Sequence, residues 1–335
     1  MTMPADGRKL DLETGAAPAP AKGRKINLET SATLGLIILL LFVFFSVTTR
    51  SFFTVENLAN LLRQTSINGV IALGMLVVII TAGIDLSVGA VVAISGIVNA
   101  LLLKAGVPIL ASIPASLIVG AAVGLLNGVL VYNFGITPFI ATLGTTTMVR
   151  GLVMILSGAR MVADLPASFG NLSNSSIFYI PTMFLIWMAL FAIIWLTLRY
   201  TQLGRNMFII GSSQEVARLS GVRLGRNLYA TYALCSLYAA IGGLMLSSRL
   251  AMGVPTAGLG YELDAIAAVV IGGASLFGAA GSALGAVLGA IIMQTIHNGG
   301  TLLGVDPFAL QIIIGALILL SVGIDQVRVR RRSAA

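Results

Sequence analysis

Three acidic residues stand where chemistry in this chain would have to happen. Asp85 opens one apolar run, and Glu262 and Asp264 open another. A carboxylate in such a place can ligate an ion, relay a proton or border a solute route, since burying one in lipid is costly and is retained for a use. It can also cap the free N–H groups of the helix that follows and complement its dipole. Both readings stand for Asp85 and Asp264, and Glu262 has a third, plain exposure to water. Uncharged polar residues lie inside the apolar runs as well: Asn68, Asn99, Asn127, Thr142, Thr145, Gln294 and Asn298. Amides and hydroxyls suit a hydroxyl-rich neutral solute better than an ion, although each one alone is also explained by a hydrogen bond between helices. Arg150, inside a run, either snorkels outward along its aliphatic stem, which is the cheaper course and the one expected, or pairs with a carboxylate. His297 is expected to pack at the membrane edge.

Other chemistries drop out. The chain has no Gly-x-x-x-x-Gly-Lys-Ser/Thr segment, so it offers no P-loop for ATP. It has neither an HExxH pair nor a GxSxG elbow. One Cys, Cys235, and one His leave no intrachain disulfide and no ordinary transition-metal set. The expectation is a non-enzymatic protein that binds no cofactor or metal of its own.

The elements that must position these residues follow from composition. Hydrophobic residues make up 57% of the 335 and charged residues only 10%, against about a quarter charged in a soluble domain. The apolar runs have the length that spans a hydrocarbon core of roughly 30 Å, and lipid admits them only as helices or a closed barrel. The reading is an all-α integral membrane protein with ten spans, over residues 33–49, 67–82, 86–103, 109–131, 138–156, 181–198, 230–247, 262–278, 282–297 and 307–324. With both termini inside, fourteen Lys and Arg lie on the cytoplasmic side and five outside, with Arg150 within a span, as the positive-inside rule favours. Trp195 and Tyr200 at one end of the sixth span, and Tyr179 at the other, fit the same placement. The net charge of +8 therefore reads as membrane orientation and not as nucleic-acid binding. Residues 1–30 read as a disordered cytoplasmic tail carrying a short duplication, GRKLDLET and GRKINLET. Residues 31–326 are the transmembrane domain, and 327–335 a basic cytoplasmic tail.

The halves are expected to be related. GIDLSVGAVVAI from Gly83 and GYELDAIAAVVI from Gly260 both read Gly, any residue, an acid, then Leu. Gly120, Gly124 and Gly128 are matched by Gly281, Gly285 and Gly289, and residues four apart share a helix face on which another helix can pack closely. Both matches link spans five apart, which is the signature of a 5+5 inverted repeat. The longest cytoplasmic loop, 199–229, holds GSSQEVARLSGV. Ser and Gln begin a two-turn helix there with Glu215, Ala217, Arg218 and Leu219 on it, and Gly221 ends it.

Over residues 45–325 the chain resembles the permeases of bacterial ribose, xylose, galactoside and inositol-type ATP-binding-cassette importers. QTSINGVIALGMLVVIITAGIDLSVGA, TPFIATLGTTTMVRGL, EVARLSGV and PTAGLGYELDAIAAVVIGGASLFG carry the resemblance. It implies a second permease copy, cytoplasmic ATPase subunits that bind ATP and Mg, and a periplasmic sugar-binding protein. It also implies that the Glu215 loop is the coupling helix, in which the usual Glu-Ala-Ala reads Glu215, Val216, Ala217. The solutes implied are ribose, xylose or myo-inositol. The rival reading is a proton- or sodium-coupled secondary transporter using Asp85 and Glu262. A receptor or scaffold leaves the polar span residues unexplained.

Overall fold

A computed structural model describes residues 28–178 and 180–333. The N-terminal duplication and Tyr179 lie outside the described residues, apart from the last three positions of the second copy. The main helices are α1 (Leu28–Thr48), α2 (Val55–Ile80), α3 (Val88–Lys104), α4 (Ile109–Tyr132) and α5 (Pro138–Ser157). After a short α6 (Ala167–Asn174) and a hairpin, β1 (Ser176–Ile177) with β2 (Ile180–Pro181), come α7 (Thr182–Tyr200), α8 (Gln202–Ser212) and α9 (Gln214–Leu219). The chain closes with α10 (Leu224–Leu250), α11 (Tyr261–Ile271), α12 (Ala283–Leu302) and α13 (Pro307–Ser333).

Local chemistry sets several of these ends. Thr54 accepts a hydrogen bond from the Asn57 N–H and starts α2, with Glu56 in the first turn. Pro138 opens α5 and Gly158, at φ 59°, closes it. Among the described residues, six helices are long and apolar enough to cross a membrane: α1 from Ser31, α2, α4, α5, α7 and α10. Helix α3 (Val88–Lys104) is apolar but shorter.

The packing is that of a protein in lipid. Along α2 and α10 most side chains are buried against other helices. By contrast α1, α4, α5, α7 and α13 expose Leu39, Phe44, Ile118, Ile140, Met148, Ile155, Ile193 and Ile312. A soluble monomer does not leave an apolar surface of that extent open to water. Trp195 and Tyr200 at the end of α7 flank the Arg199 guanidinium, which sits 5.6 Å from each ring centroid, an arrangement suited to a headgroup interface.

Several expectations are corrected by the structure. Helix α2 starts at Val55 and not at 67, because its polar first turns are used inside the protein: Asn57 and Asn298 of α12 exchange amide hydrogen bonds at 3.0 and 2.9 Å. The run expected over 262–278 is helical only to Ile271, and Gly272 and Gly273 lead into an irregular turn. Gly281 is not on α12 but precedes it, at φ 154°, with Ser282 as N-cap. Helix α13 runs on to Ser333 through the basic residues. Two breaks matter most for the site, 81–87 between α2 and α3 and 251–260 between α10 and α11. Each has an alanine held at positive φ within its first two residues, Ala82 at 60° or Ala251 at 53°.

The glycine strips do bring helices together. A Cβ at Gly120, Gly124 or Gly128 would strike Ala240, Tyr232 and Ser236, or Tyr229, all on α10. At Gly285 and Gly289 it would strike the backbone of Gly272 and Ala268, so α12 packs on α11. The strips therefore face partners that an exact repeat does not equate.

Candidate functional site

Asp85 lies in the middle of the first break and is fully buried. Its Oδ1 accepts three hydrogen bonds, from the Ser87 N–H at 2.9 Å, the Ser87 hydroxyl at 2.6 Å and Asn127 Nδ2 at 3.3 Å. Asn127 Nδ2 also donates to Ser87 Oγ at 2.8 Å, which ties α4 to the break. From α5, Thr142 reaches the Ile84 carbonyl at 3.3 Å. From α10, Tyr232, Cys235 and Ser236 face the carboxyl. The capping expectation is corrected in detail. Ser87, and not Asp85, is the N-cap residue of α3, and Asp85 bonds the N–H of that cap residue without reaching the first-turn N–H groups.

The second break ends at Gly260, φ 84°, which starts α11 without a side-chain cap. Neither Glu262 nor Asp264 caps it; both sit in the first turn, partly exposed. Arg150 does not snorkel. Its Nη1 donates to the Ala257 carbonyl at 2.6 Å, and the guanidinium faces Glu262. Asp264 Oδ1 lies 3.5 Å from His297 Nε2 on α12, so His297 faces an acid and does more than pack at an edge. At Gly89, near the start of α3, an added Cβ would meet Glu262 Oε2, Arg150 Nη2 and the Gly258 carbonyl. The starts of α3 and α11 therefore converge, with α5 beside them.

The remaining polar candidates separate. Asn68 Nδ2 donates to Gln294 Oε1, and Gln294 Nε2 to Gln64 Oε1, both at 2.7 Å. With Asn57 and Asn298 these amides form a ladder between α2 and α12, which is the helix-joining use weighed for them above. Asn99 is buried on α3, and neither its amide oxygen nor its nitrogen has a hydrogen-bond partner. Thr145 bonds its own helix, at the Ala141 carbonyl.

On the loop side, the short helix is present as expected. Ser213 accepts from the Val216 N–H to start α9, and Gly221 at φ 75° follows its end. Ala217 is buried with Ile210 and Leu228, whereas Leu219 is 78% exposed and Val216 48%. Glu215 and Arg218 pair at 3.5 Å on the surface. Helix α8 was not anticipated, and it carries the connection inward. A Cβ at Gly211, in its last turn, would collide with the Ile80 carbonyl and the Ala279 nitrogen, and one at Gly278 with the Gly211 carbonyl and Ala82. The Ala279 N–H also donates to the Ile80 carbonyl at 2.9 Å. The loop helices thus rest, backbone to backbone, on the end of α2 that leads into the Asp85 break.

Residues 57–322 match a family model described as the permease component of a branched-chain amino acid transport system. The chain belongs to this permease family. Among similar proteins, the ribose import permease protein of Bacillus subtilis (strain 168) is 40% identical over 303 residues, which cover 90% of this chain and 92% of that one. The ribose import permease protein of Escherichia coli (strain K12) is 38% identical over 297 residues, 86% of this chain and 91% of that one. The galactose/methyl galactoside import permease protein of the same strain is 35% identical over 316 residues, 89% and 94% of the two. No solved structure matches the chain. The permease is a multi-pass protein of the inner membrane.

Signals for the residues missed above were present in part. Tyr232 and Ser236 on α10 are four apart, opposite the Gly124–Gly128 face, a spacing that places polar groups along one helix seam. Gly211 had no signal of its own, because a glycine at a backbone contact looks like any other until its neighbour is known.

Proposed function

We propose that the permease carries a monosaccharide or cyclitol from periplasm to cytoplasm by alternating access, powered by ATPase subunits that bind at α8 and α9. The observation that carries this reading is the contact of Gly211 with Ile80 and of Gly278 with Ala82. A push on the loop helices reaches the α2–α3 break through rigid backbone, with no soft side chain between. The half-open α9, with Leu219 and Val216 facing out, supports a protein partner that covers it. The solutes named for the similar permeases, ribose and galactosides, support a sugar, and ribose, xylose and myo-inositol are the first to test.

In this reading a periplasmic binding protein delivers the solute and supplies most of the specificity. Glu262 and Asp264, partly exposed at the start of α11, border the outer part of the route. Asp85, Asn127 and Thr142 hold the inner break in shape. A second permease copy packs against α5, whose exposed Gly144 and Gly151 have open space in front of them, with Thr147 on the same side. Ten spans with both termini inside accommodate α3 and α11 as shorter crossings. The pairing of contacts supports an inverted repeat in the core: α4 meets α10 as α12 meets α2, and α3 meets α5 as α11 meets α13.

Leu219→Arg tests the coupling site. A long charge forced into a protein groove must be desolvated without a partner. The permease should stay in the membrane at normal yield while its ATPase no longer co-purifies. Normal co-purification together with normal uptake would remove α9 from the coupling role.

A further inference from the structure

We propose that the permease holds an anionic phospholipid by its headgroup phosphate in a basic pocket between the starts of α8 and α10. A cavity of about 560 Å³ lies there, within the roughly 300–1,000 Å³ of small-molecule sites. Its wall is graded. Arg223, Arg226 and Gln202 are exposed, Leu203 and Ala230 are half-buried, and Asn227 is buried. Arg226 and Ala230 are four apart along α10, so a charged and an apolar group follow one another on the same face of that helix. The two walls are tied together. Asn206 Nδ2 of α8 donates to Asn227 Oδ1 at 3.1 Å, and Asn227 Nδ2 donates to the Arg223 carbonyl at 2.8 Å. Both ends of this amide are engaged in holding α8 to α10, and the guanidiniums are left for a ligand.

Neither guanidinium has a counter-charge in the protein. Residues 199–229 hold five Arg and a single acid, Glu215, which pairs with Arg218. Among the described residues Arg223 and Arg226 make no ion pair. The pocket also lies at headgroup depth. Gln202 and Leu203 directly follow α7, whose last turn sets Arg199 5.6 Å from the ring centroids of Trp195 and Tyr200. At the other wall, Ala230 opens the apolar run 230–247. A phosphodiester bound by Arg223 and Arg226 therefore has its glycerol and chains beside Leu203 and Ala230. A free phosphate ion has no use for such an apolar wall. Basic pockets between membrane helices on the cytoplasmic side bind anionic headgroups by this chemistry. An ATPase seated on Leu219 and Val216 of α9 leaves the pocket open, because neither residue lines it. From the proposed function this takes only the cytoplasmic placement of the loop.

The test uses the full chain alone in neutral detergent micelles, where neither solute, ATPase nor membrane orientation enters the result. Phosphatidylglycerol or phosphatidylcholine is titrated in at low salt, and the lipid retained is read by native mass spectrometry. Wild type should hold phosphatidylglycerol about tenfold more tightly, since each basic side chain at a headgroup adds to the preference. Arg223→Gln with Arg226→Gln should abolish that preference. Arg50→Gln with Arg160→Gln removes the same charge from exposed sites outside the pocket and should keep it. Ala230→Leu narrows the pocket with every charge in place, and it should weaken phosphatidylglycerol while leaving phosphatidylcholine unchanged. Melting temperatures in lipid-free micelles check that each variant is folded. If the Arg223 and Arg226 variant is not, the wild-type preference and Ala230→Leu decide. Equal retention of the two lipids by wild type overturns the assignment, and so does an equal loss of preference in both double variants. Displacement of phosphatidylglycerol by inorganic phosphate, but not by chloride of equal ionic strength, assigns the pocket to a free anion and overturns it as well. So does displacement by the partner ATPase, which assigns the pocket to the subunit interface.

Discussion

The breaks at 81–87 and 251–260 look alike in sequence and are built differently. Each follows a long central helix, has an alanine at positive φ within its first two residues and places an acid near the start of the next helix. At the first, the acid lies outside the helix, is fully buried and is held by Ser87 and Asn127. At the second, the acids lie within the first turn, are partly exposed, and face Arg150 and His297. The first break also receives α8 through Gly211. A shared Gly-x-acid-Leu pattern thus serves a sealed joint on one side and a partly exposed charged cluster on the other. In the proposed reading, the first break transmits force and the second meets incoming solute.

Three substitutions sharpen or break that contrast. The largest effect is expected at Gly211→Val, where no room exists for a side chain against the Ile80 carbonyl. Overpacking of this kind costs about 1–3 kcal/mol, and if it falls on the moving contact, uptake drops below about a tenth of wild type. The ATPase should still co-purify, since α9 is untouched. Wild-type uptake at normal yield would show that the Gly211 contact transmits nothing.

Asp85→Leu comes next. It strips the acceptor from the Ser87 N–H and hydroxyl and from one Asn127 bond, and each buried group left unpaired costs about 1–3 kcal/mol. Membrane yield and melting temperature should both fall clearly. An unchanged melting temperature would mean that the first break is not held by its acid. The smallest effect is expected at Glu262→Gln, where a partly exposed charge facing Arg150 contributes under about 1 kcal/mol to stability. Yield should stay normal while uptake is reduced. A collapse in yield would make the second break as structural as the first and erase the contrast.

The sequence made the helices legible wherever apolarity alone decides, so α1, α4, α5 and α7 lie within a few residues of the expected runs. It also disclosed α9, because a Ser cap and a terminal glycine are local signals. Three things depended on partners far along the chain. The polar start of α2 reads as loop until Asn298 is seen opposite Asn57. Arg150 reads as a snorkelling residue until the Ala257 carbonyl is seen within 2.6 Å. The shared acid pattern suggested two equivalent caps, but capping depends on where the helix begins relative to the acid, and Ser87 and Gly260 take the cap positions.

The central claim is that ATP hydrolysis by partner subunits, transmitted through α8 and α9, drives uptake. The most direct measurement is ribose, xylose and myo-inositol uptake into vesicles that hold the permease with its ATPase, with the binding protein added outside. The account predicts uptake that requires internal ATP and the binding protein, and that survives collapse of the proton gradient while ATP is maintained. Uptake driven by an imposed proton or sodium gradient with no nucleotide present would contradict it and favour a secondary transporter.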